Sequence, residues 1–237
     1  MSHPSSSGSR PHTSLLAALP DDEYQRLAAH LKAVMLNQGE VLHEADTPAQ
    51  YVYFLDEGVA SLSVSSEEGQ ELMLSIAGDE SVVGERAIFK EGHFIVRCEM
   101  LTDGRGHRMP PGAFEEEFSR GERLHGLVLN RMEARITETA QTALCNQMHS
   151  IEQRLARWLL TLADRLHSEE LLITHDRIAD MVGVRRAGIT DAMGSLREAG
   201  LVESGRGTVT ILDRGKMEAQ ACECYAVIKE AVENFAS

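Results

Sequence analysis

The sequence predicts an α+β protein, a β-rich half followed by a helical half that ends in a winged helix-turn-helix. Three observations carry this. Short β-like runs alternate with glycine and acidic turns between residues 40 and 109. Apolar residues spaced three, four, four and three apart then mark a long helix with a narrow seam. Finally, a helix, a glycine-centred turn, a second helix and a glycine-arginine-glycine hairpin succeed one another between Thr174 and Leu212.

A chain of 237 residues has room for one large or two ordinary domains, and 43% hydrophobic residues support buried cores. Residues 1–12 are rich in Ser, Gly, Pro and His and read as a disordered tail without the apolar centre of a signal peptide. No apolar run approaches the roughly 20 residues of a membrane span. A cytoplasmic protein without a membrane partner is therefore expected. A helix is expected over Thr13–Lys32, with Asp21 and Asp22 charging its second part and Leu27, Leu31 and Val34 on one face. Strands are expected at Glu40–His43, Tyr51–Asp56, Val59–Ser65, Glu71–Ala77, Phe94–Leu101 and Arg105–Met109, which together suit a β-sandwich or barrel.

From Phe114 the pattern is helical. Leu129, Met132, Ile136, Ala140 and Ala143 form a stripe narrower than a lone surface helix shows, which favours a dimer seam. A second helix over Ser150–His167 has a broader apolar face and reads as domain core. Thr174 is a good N-cap, and Ile178, Ala179 and Met181 face inward. Gly183 permits the sharp turn, Val184 plugs the corner, and Ile189, Met193 and Leu196 face inward from the second helix. Leu201–Leu212 is a hairpin wing whose Arg206 can reach a phosphate.

A net charge of −14 is unusual for a DNA binder, but it is unevenly spread. Residues 1–125 carry 10 basic and 21 acidic side chains, whereas residues 150–213 carry 8 and 10. A near-neutral reader must present a local arginine face rather than a basic domain. The four cysteines, Cys98, Cys145, Cys222 and Cys224, show no CxxC pair and suit a reducing compartment without disulfides. Cys222 and Cys224 lie on an expected C-terminal helix, where positions i and i+2 face different ways. They are read as packed apolar residues, and no metal site is expected. A redox switch is the sharper alternative.

At Thr174–Thr190, at Gly84-Glu85 and at Ile88-Phe89, the chain resembles the CRP/FNR superfamily of bacterial transcription regulators. The resemblance spans Leu15 to Asp213. It implies a double-stranded β-helix (the β-roll of cyclic-nucleotide-binding-like domains) over 13–118 and a dimerisation helix over 119–149. It also implies a winged helix-turn-helix over 150–213, with a helical extension over 214–237. It further implies a homodimer on palindromic double-stranded DNA, with RNA polymerase as a further partner and an effector signal passing from the β-roll to the reading helices. Arg186 matches the recognition arginine, whose fork suits guanine O6 and N7. Arg185 stands where the family often has Ser, Thr174 matches a backbone-contacting position, and Thr190 faces outward. Ala187 replaces the usual glutamate and can only touch a thymine methyl, so the operator departs from the usual one.

For the effector pocket, the resemblance points to Gly84, Glu85 and Thr139. The arginine and serine that hold a cyclic phosphate are replaced by Ile95 and Val96, and Arg97 serves only if the register shifts. Cyclic AMP is therefore not expected. An iron–sulfur cluster is not expected either, since no cysteine precedes Cys98. Haem would draw on His43, His93, His107 or Cys98 without a clear axial residue, so no cofactor is expected. Enzyme signatures are missing: there is no Walker A loop, GxSxG, HExxH or His-x-His triad. The alternative is an effector-binding module that regulates a partner protein, which would need neither Arg186 nor the Arg206 wing.

Overall fold

Two short helices, α1 (Ser14–Ala17) and α2 (Asp21–Ala28), open the computed structural model, which describes residues 13–89 and 94–233. The expected tail and His93 lie outside the described residues. The single helix expected over Thr13–Lys32 is broken by Pro20, which precedes α2, and its last residue, Lys32, is already strand. Val34 thus sits in β1 (Lys32–Leu36), not on a helix face with Leu27. There it pairs with Gly106 and packs on the core between the sheets.

The strands that follow are β2 (Val41–His43), β3 (Val52–Glu57), β4 (Ala60–Ser65), β5 (Glu71–Ala77), β6 (Val82–Val83), β7 (Arg97–Met100) and β8 (Gly104–Met109). They form two antiparallel four-stranded sheets, β1-β8-β3-β6 and β2-β7-β4-β5, facing each other as a β-roll. The run Val52-Tyr53-Phe54-Leu55 is apolar throughout because both faces of β3 are covered. Tyr53 and Leu55 enter the core between the sheets, while Val52 and Phe54 meet the flanking helices. After β6 the chain makes one 3-10 turn, Glu85–Ile88, entered through Gly84 at φ +88°. A Cβ there would stand 2.6 Å from the Tyr51 carbonyl oxygen. Gly84→Ala is therefore expected to destabilise the β-roll by about 1–3 kcal/mol, measured as a lower denaturant midpoint at unchanged slope.

Helix α3 (Pro111–Ser119) leads into α4 (Arg123–Met148), so the long helix starts later than the expected boundary at 119. α5 (Ile151–Leu166) begins at a complete capping box in which Ser150 and Gln153 exchange hydrogen bonds. Then come β9 (Glu170–Leu171), α6 (His175–Val182), α7 (Arg186–Glu198), β10 (Val202–Ser204), β11 (Val209–Ile211), α8 (Arg214–Gln220) and α9 (Cys224–Glu233). β10, β11 and β9 make a three-stranded wing. The extension expected after 213 is two helices, not a separate appendage. Met217 and Tyr225 are buried in the same core as Trp158, and Arg214 bonds Asp164, Glu169 and the Tyr225 hydroxyl. Among the described residues, no helix is long and apolar enough to cross a membrane.

That core does not stop at the helical half. Val59, Met73, Ile76 and Leu101 of the β-roll pack into it. Buried charges reinforce the junction. Arg131 and Glu138 of α4, Arg165 of α5, and Glu80 of the loop after β5 meet in one cluster. Arg165 Nη2 lies 2.6 Å from Glu138 and its Nε 3.0 Å from Glu80. Arg131 Nε donates to Ser81 Oγ at 3.0 Å.

Candidate functional site

The reading head is built from caps and turns. The Thr174 hydroxyl caps α6 by accepting from the Arg177 amide at 3.4 Å. Gly183 closes α6 in the left-handed region, and the Val184 amide returns to the Ala179 carbonyl at 3.1 Å. Arg185 is the extended N-cap of α7, and no side chain caps that helix. The start of α7 thus has no capping side chain and lies beside the exposed Arg185, Arg186 and Ala187, an arrangement suited to a phosphate. Ile189, Ala192, Met193 and Leu196 bury the inner face. Thr190 stays outside, donating to the Arg186 carbonyl at 3.1 Å. The wing turns at Arg206-Gly207, with Gly207 at φ +80°, and passes over Thr174. Five of the six sequence-predicted DNA contacts (Thr174, Arg185, Arg186, Ala187 and Thr190) thus belong to one motif, and the sixth, Arg206, sits on the adjoining wing.

Two features of this surface escaped the sequence reading. Exposed Arg197 lies within about one helical face of Arg186 and Thr190, since eleven residues complete just over three turns. Asp176 of α6 holds the Arg186 guanidinium at 3.3 Å, both side chains being largely exposed. The spacing 176 to 186 crosses the turn, so no single-helix pattern reveals it. Behind the motif, Arg177 ion-pairs with Glu99 of β7, and a Cβ on Gly183 would lie 3.2 Å from Leu72 of β5. Burial pushes the Glu99 carboxyl up, but hydrogen bonds from Arg97 and Arg177 win and hold it below the usual range. The helix-turn-helix is thereby clasped against the β-roll.

The second site is a cavity of about 450 Å³ between the β-roll and α4. Glu85 and Thr139 line it, with Gly84 setting the turn that carries Glu85. Thr139 already donates to the Arg135 carbonyl at 2.9 Å. Arg97 does not line it. Its guanidinium is taken by Glu99 and by Glu44 at 3.4 Å, so the register shift that would bring it in does not occur. The lining cations are instead Arg86, 5.3 Å from the Phe94 ring, and Arg135, ion-paired to Glu85. Neither was singled out from sequence, because neither sits at the position of the family's phosphate-holding arginine. Apart from Ser75, the remaining walls are apolar: Leu62, Leu74, Phe89, Val96 and Met132 among them. Ile136, Ala140 and Ala143 form the outer wall, and these are seam residues. Ile136 is 70% exposed and Leu129 45%, and Leu144 and Met148 continue the strip.

Among the described residues, the histidines considered for haem are not gathered. His43 packs on Phe94 with centroids 5.4 Å apart, and His107 pairs with Asp56 at 3.0 Å on the other sheet. Cys98 is buried between the sheets, and burial pushes its thiol up to about 12.

The reading of Cys222 and Cys224 needs correction. α8 ends at Gln220 with an extended Ala221, so Cys222 lies in a turn and only Cys224 begins α9. Residues two apart therefore face the same way, and both meet Cys145 of α4.

Comparison with known proteins agrees with this architecture. The Cyclic nucleotide-binding domain family matches residues 33–120, and the Crp-like helix-turn-helix domain family matches 153–220. The transcriptional regulator SdrP of Thermus thermophilus is 30% identical over 172 residues, covering 70% of this chain and 81% of that one. The chain belongs to the CRP/FNR family of transcription regulators. A CRP-like cAMP-activated global transcriptional regulator of Mycobacterium tuberculosis is 23% identical over 202 residues, 82% of this chain and 90% of that protein. The structure of FixK2 from Bradyrhizobium japonicum shares the fold at a TM-score of 0.69 and 16% identity, covering 81% of this regulator and 98% of that chain. As in the family, a β-roll, a long helix and a winged helix-turn-helix follow in order, and the regulator binds DNA through the last of these.

Proposed function

We propose that this regulator works as a homodimer in the cytoplasm, reads an inverted-repeat operator through Arg186, and answers to an effector other than cyclic AMP. It acts on RNA polymerase from that operator and has no catalytic role. The observation that carries this is the exposed apolar strip of α4, whose members also wall the cavity. A strip of this kind on an otherwise ordinary surface is an interface. A partner helix seated on it would close the cavity, so effector binding and the geometry of two reading heads become one equilibrium.

The mycobacterial relative is cAMP-activated, but the pocket chemistry here differs. Arg135 is neutralised by Glu85, so a cyclic phosphate would have to break that pair. A small, largely apolar effector fits the walls better. Regulation of a partner protein instead of DNA is disfavoured by the uncapped start of α7 and its arginines.

Selection of bound sequences from random DNA by the full-length protein tests the reading. The expected product is an inverted repeat with half-sites about 34–36 Å apart centre to centre. A single unrepeated motif would count against the dimer. Ile136→Lys is expected to give a monomer by light scattering, because two ammonium groups would be buried against each other. An unchanged dimer would remove the seam.

A further inference from the structure

Beyond the reading head and the cavity, the described residues hold one further cluster of reactive side chains. Cys145 on the last turn of α4, His149 at its C-cap, and Cys222 and Cys224 at the α8–α9 turn converge, although 77 residues separate Cys145 from Cys222. One donor atom from each lies within 4.8 Å of all the others. Cys145 Sγ and Cys222 Sγ are 3.5 Å apart, and Cys224 Sγ is 3.7 Å from His149 Nδ1. A tetrahedral ion with metal–sulfur bonds of about 2.3 Å and metal–nitrogen bonds of about 2.0–2.1 Å holds its ligand atoms about 3.5–3.8 Å apart. The three cysteines are buried and His149 is half-buried.

Two further observations point to a ligand rather than to packed thiols. The first is the second partner of His149. Its Nε2 lies 3.3 Å from the Glu223 carboxylate, which leaves Nδ1 facing the sulfurs. A carboxylate that takes the far N–H of a histidine fixes the tautomer a metal needs. The second is Arg157 of α5. It is only 1% exposed, lies within hydrogen-bonding reach of Cys145, and leaves Nε and Nη2 without partners. Its guanidinium lies over the Trp158 ring at 4.4 Å, and among the described residues no carboxylate pairs with this buried cation. Three thiolates and a neutral imidazole around a divalent ion carry one net negative charge, which Arg157 matches.

We propose that Cys145, His149, Cys222 and Cys224 form a structural Cys3His site for one thiophilic divalent cation of the zinc class. The ligands come from both sides of the junction between α4 and α5. The ion therefore pins the C-terminal helix of the DNA-binding unit to the end of the seam helix and limits how far that unit can swing.

The test uses full-length protein, reduced and stripped with a chelator, then titrated with Co²⁺ and afterwards Zn²⁺. One Co²⁺ per chain is expected, with thiolate-to-cobalt charge transfer and the intense visible bands of a tetrahedral site, all erased by one equivalent of Zn²⁺. Cys224→Ser and His149→Ala are each expected to weaken Co²⁺ binding at least about 10–100-fold, and so is the exposed Glu223→Gln, which leaves the core untouched. Cys98→Ser, in the β-roll, should leave the spectrum unchanged. Weak octahedral bands from the reduced wild type would overturn the site, as would bands that survive Cys222→Ser. A Cys145–Cys222 disulfide by intact mass, in protein whose reduced form takes up no Co²⁺, would replace it with a thiol pair.

Discussion

Arg186→Ala is expected to abolish operator-specific binding while leaving the oligomeric state and the melting temperature within error. Arg186 opens the exposed face of α7, and among the described residues its ion pair is the solvent-screened one to Asp176, 3.3 Å away. Such a pair contributes roughly 0–1 kcal/mol, so stability barely registers its loss. A bidentate arginine–guanine contact is worth about 1–3 kcal/mol in each half-site. Two half-sites double that, so affinity for the selected operator should fall by about 30-fold to well over 10³-fold. Binding to unrelated DNA should weaken far less if, as proposed, Arg185, Arg206 and the start of α7 supply phosphate contacts. A gel-shift series on operator and scrambled DNA at one salt concentration separates the two. Equal losses on both would demote Arg186 to a phosphate contact. Asp176→Ala provides the complement. It frees the guanidinium and removes a charge facing the DNA, so affinity should rise modestly and the salt dependence should steepen.

The reading motif was legible in the sequence because its signals are local. A capping threonine, a glycine in the left-handed region and inward apolar residues are all set within ten positions of one another, and the structure uses each of them that way. The strands with alternating or bounded apolar runs were legible for the same reason. β1 was not, because Lys32–Leu36 continues an apolar pattern begun in α2 and becomes strand only by pairing with β8, some seventy residues on. β6 has two residues and exists through Tyr53 and Phe54. Arg131, Glu138 and Arg165 read as solvated charges on helix faces, since nothing local says that each will meet an opposite charge inside the protein. The cysteines went astray through one local assumption. A helix running through Ala221 would have parted Cys222 from Cys224, and the extended backbone at Ala221 joins them instead.

Loss of that buried charge cluster should produce the largest stability effect. Glu138→Ala leaves Arg131 and Arg165 close together inside the protein, with Glu80 still in contact with both. Removing one member of a buried set costs on the order of 3–5 kcal/mol, because the orphaned charge has no water to return to. For a unit of this size that corresponds to a melting temperature lower by on the order of 10 °C. Replacing Glu80, Arg131, Glu138 and Arg165 together by apolar residues of similar volume should cost much less, which separates a charge effect from a cavity effect. The cluster also predicts an acid limb. Burial pushes the Glu80 carboxyl up, but the guanidinium groups of Arg165 and Arg131 outweigh it and hold the carboxyl at about 2 instead of 4.5. A carboxyl with a depressed folded value stabilises the fold above its unfolded value and loses that contribution as pH falls. Wild-type stability should therefore decline between about pH 4.5 and pH 2, and Glu80→Gln should be less stable at neutral pH but converge with the wild type across that window. Because Glu80 belongs to the β-roll, Glu138 to the seam helix and Arg165 to the DNA-binding unit, a single cooperative melt that splits into two in Glu138→Ala would identify the cluster as the joint between them. A Glu138→Ala melt within about 2 °C of wild type would instead mean that packing of Met73, Ile76 and Leu101 carries the junction alone.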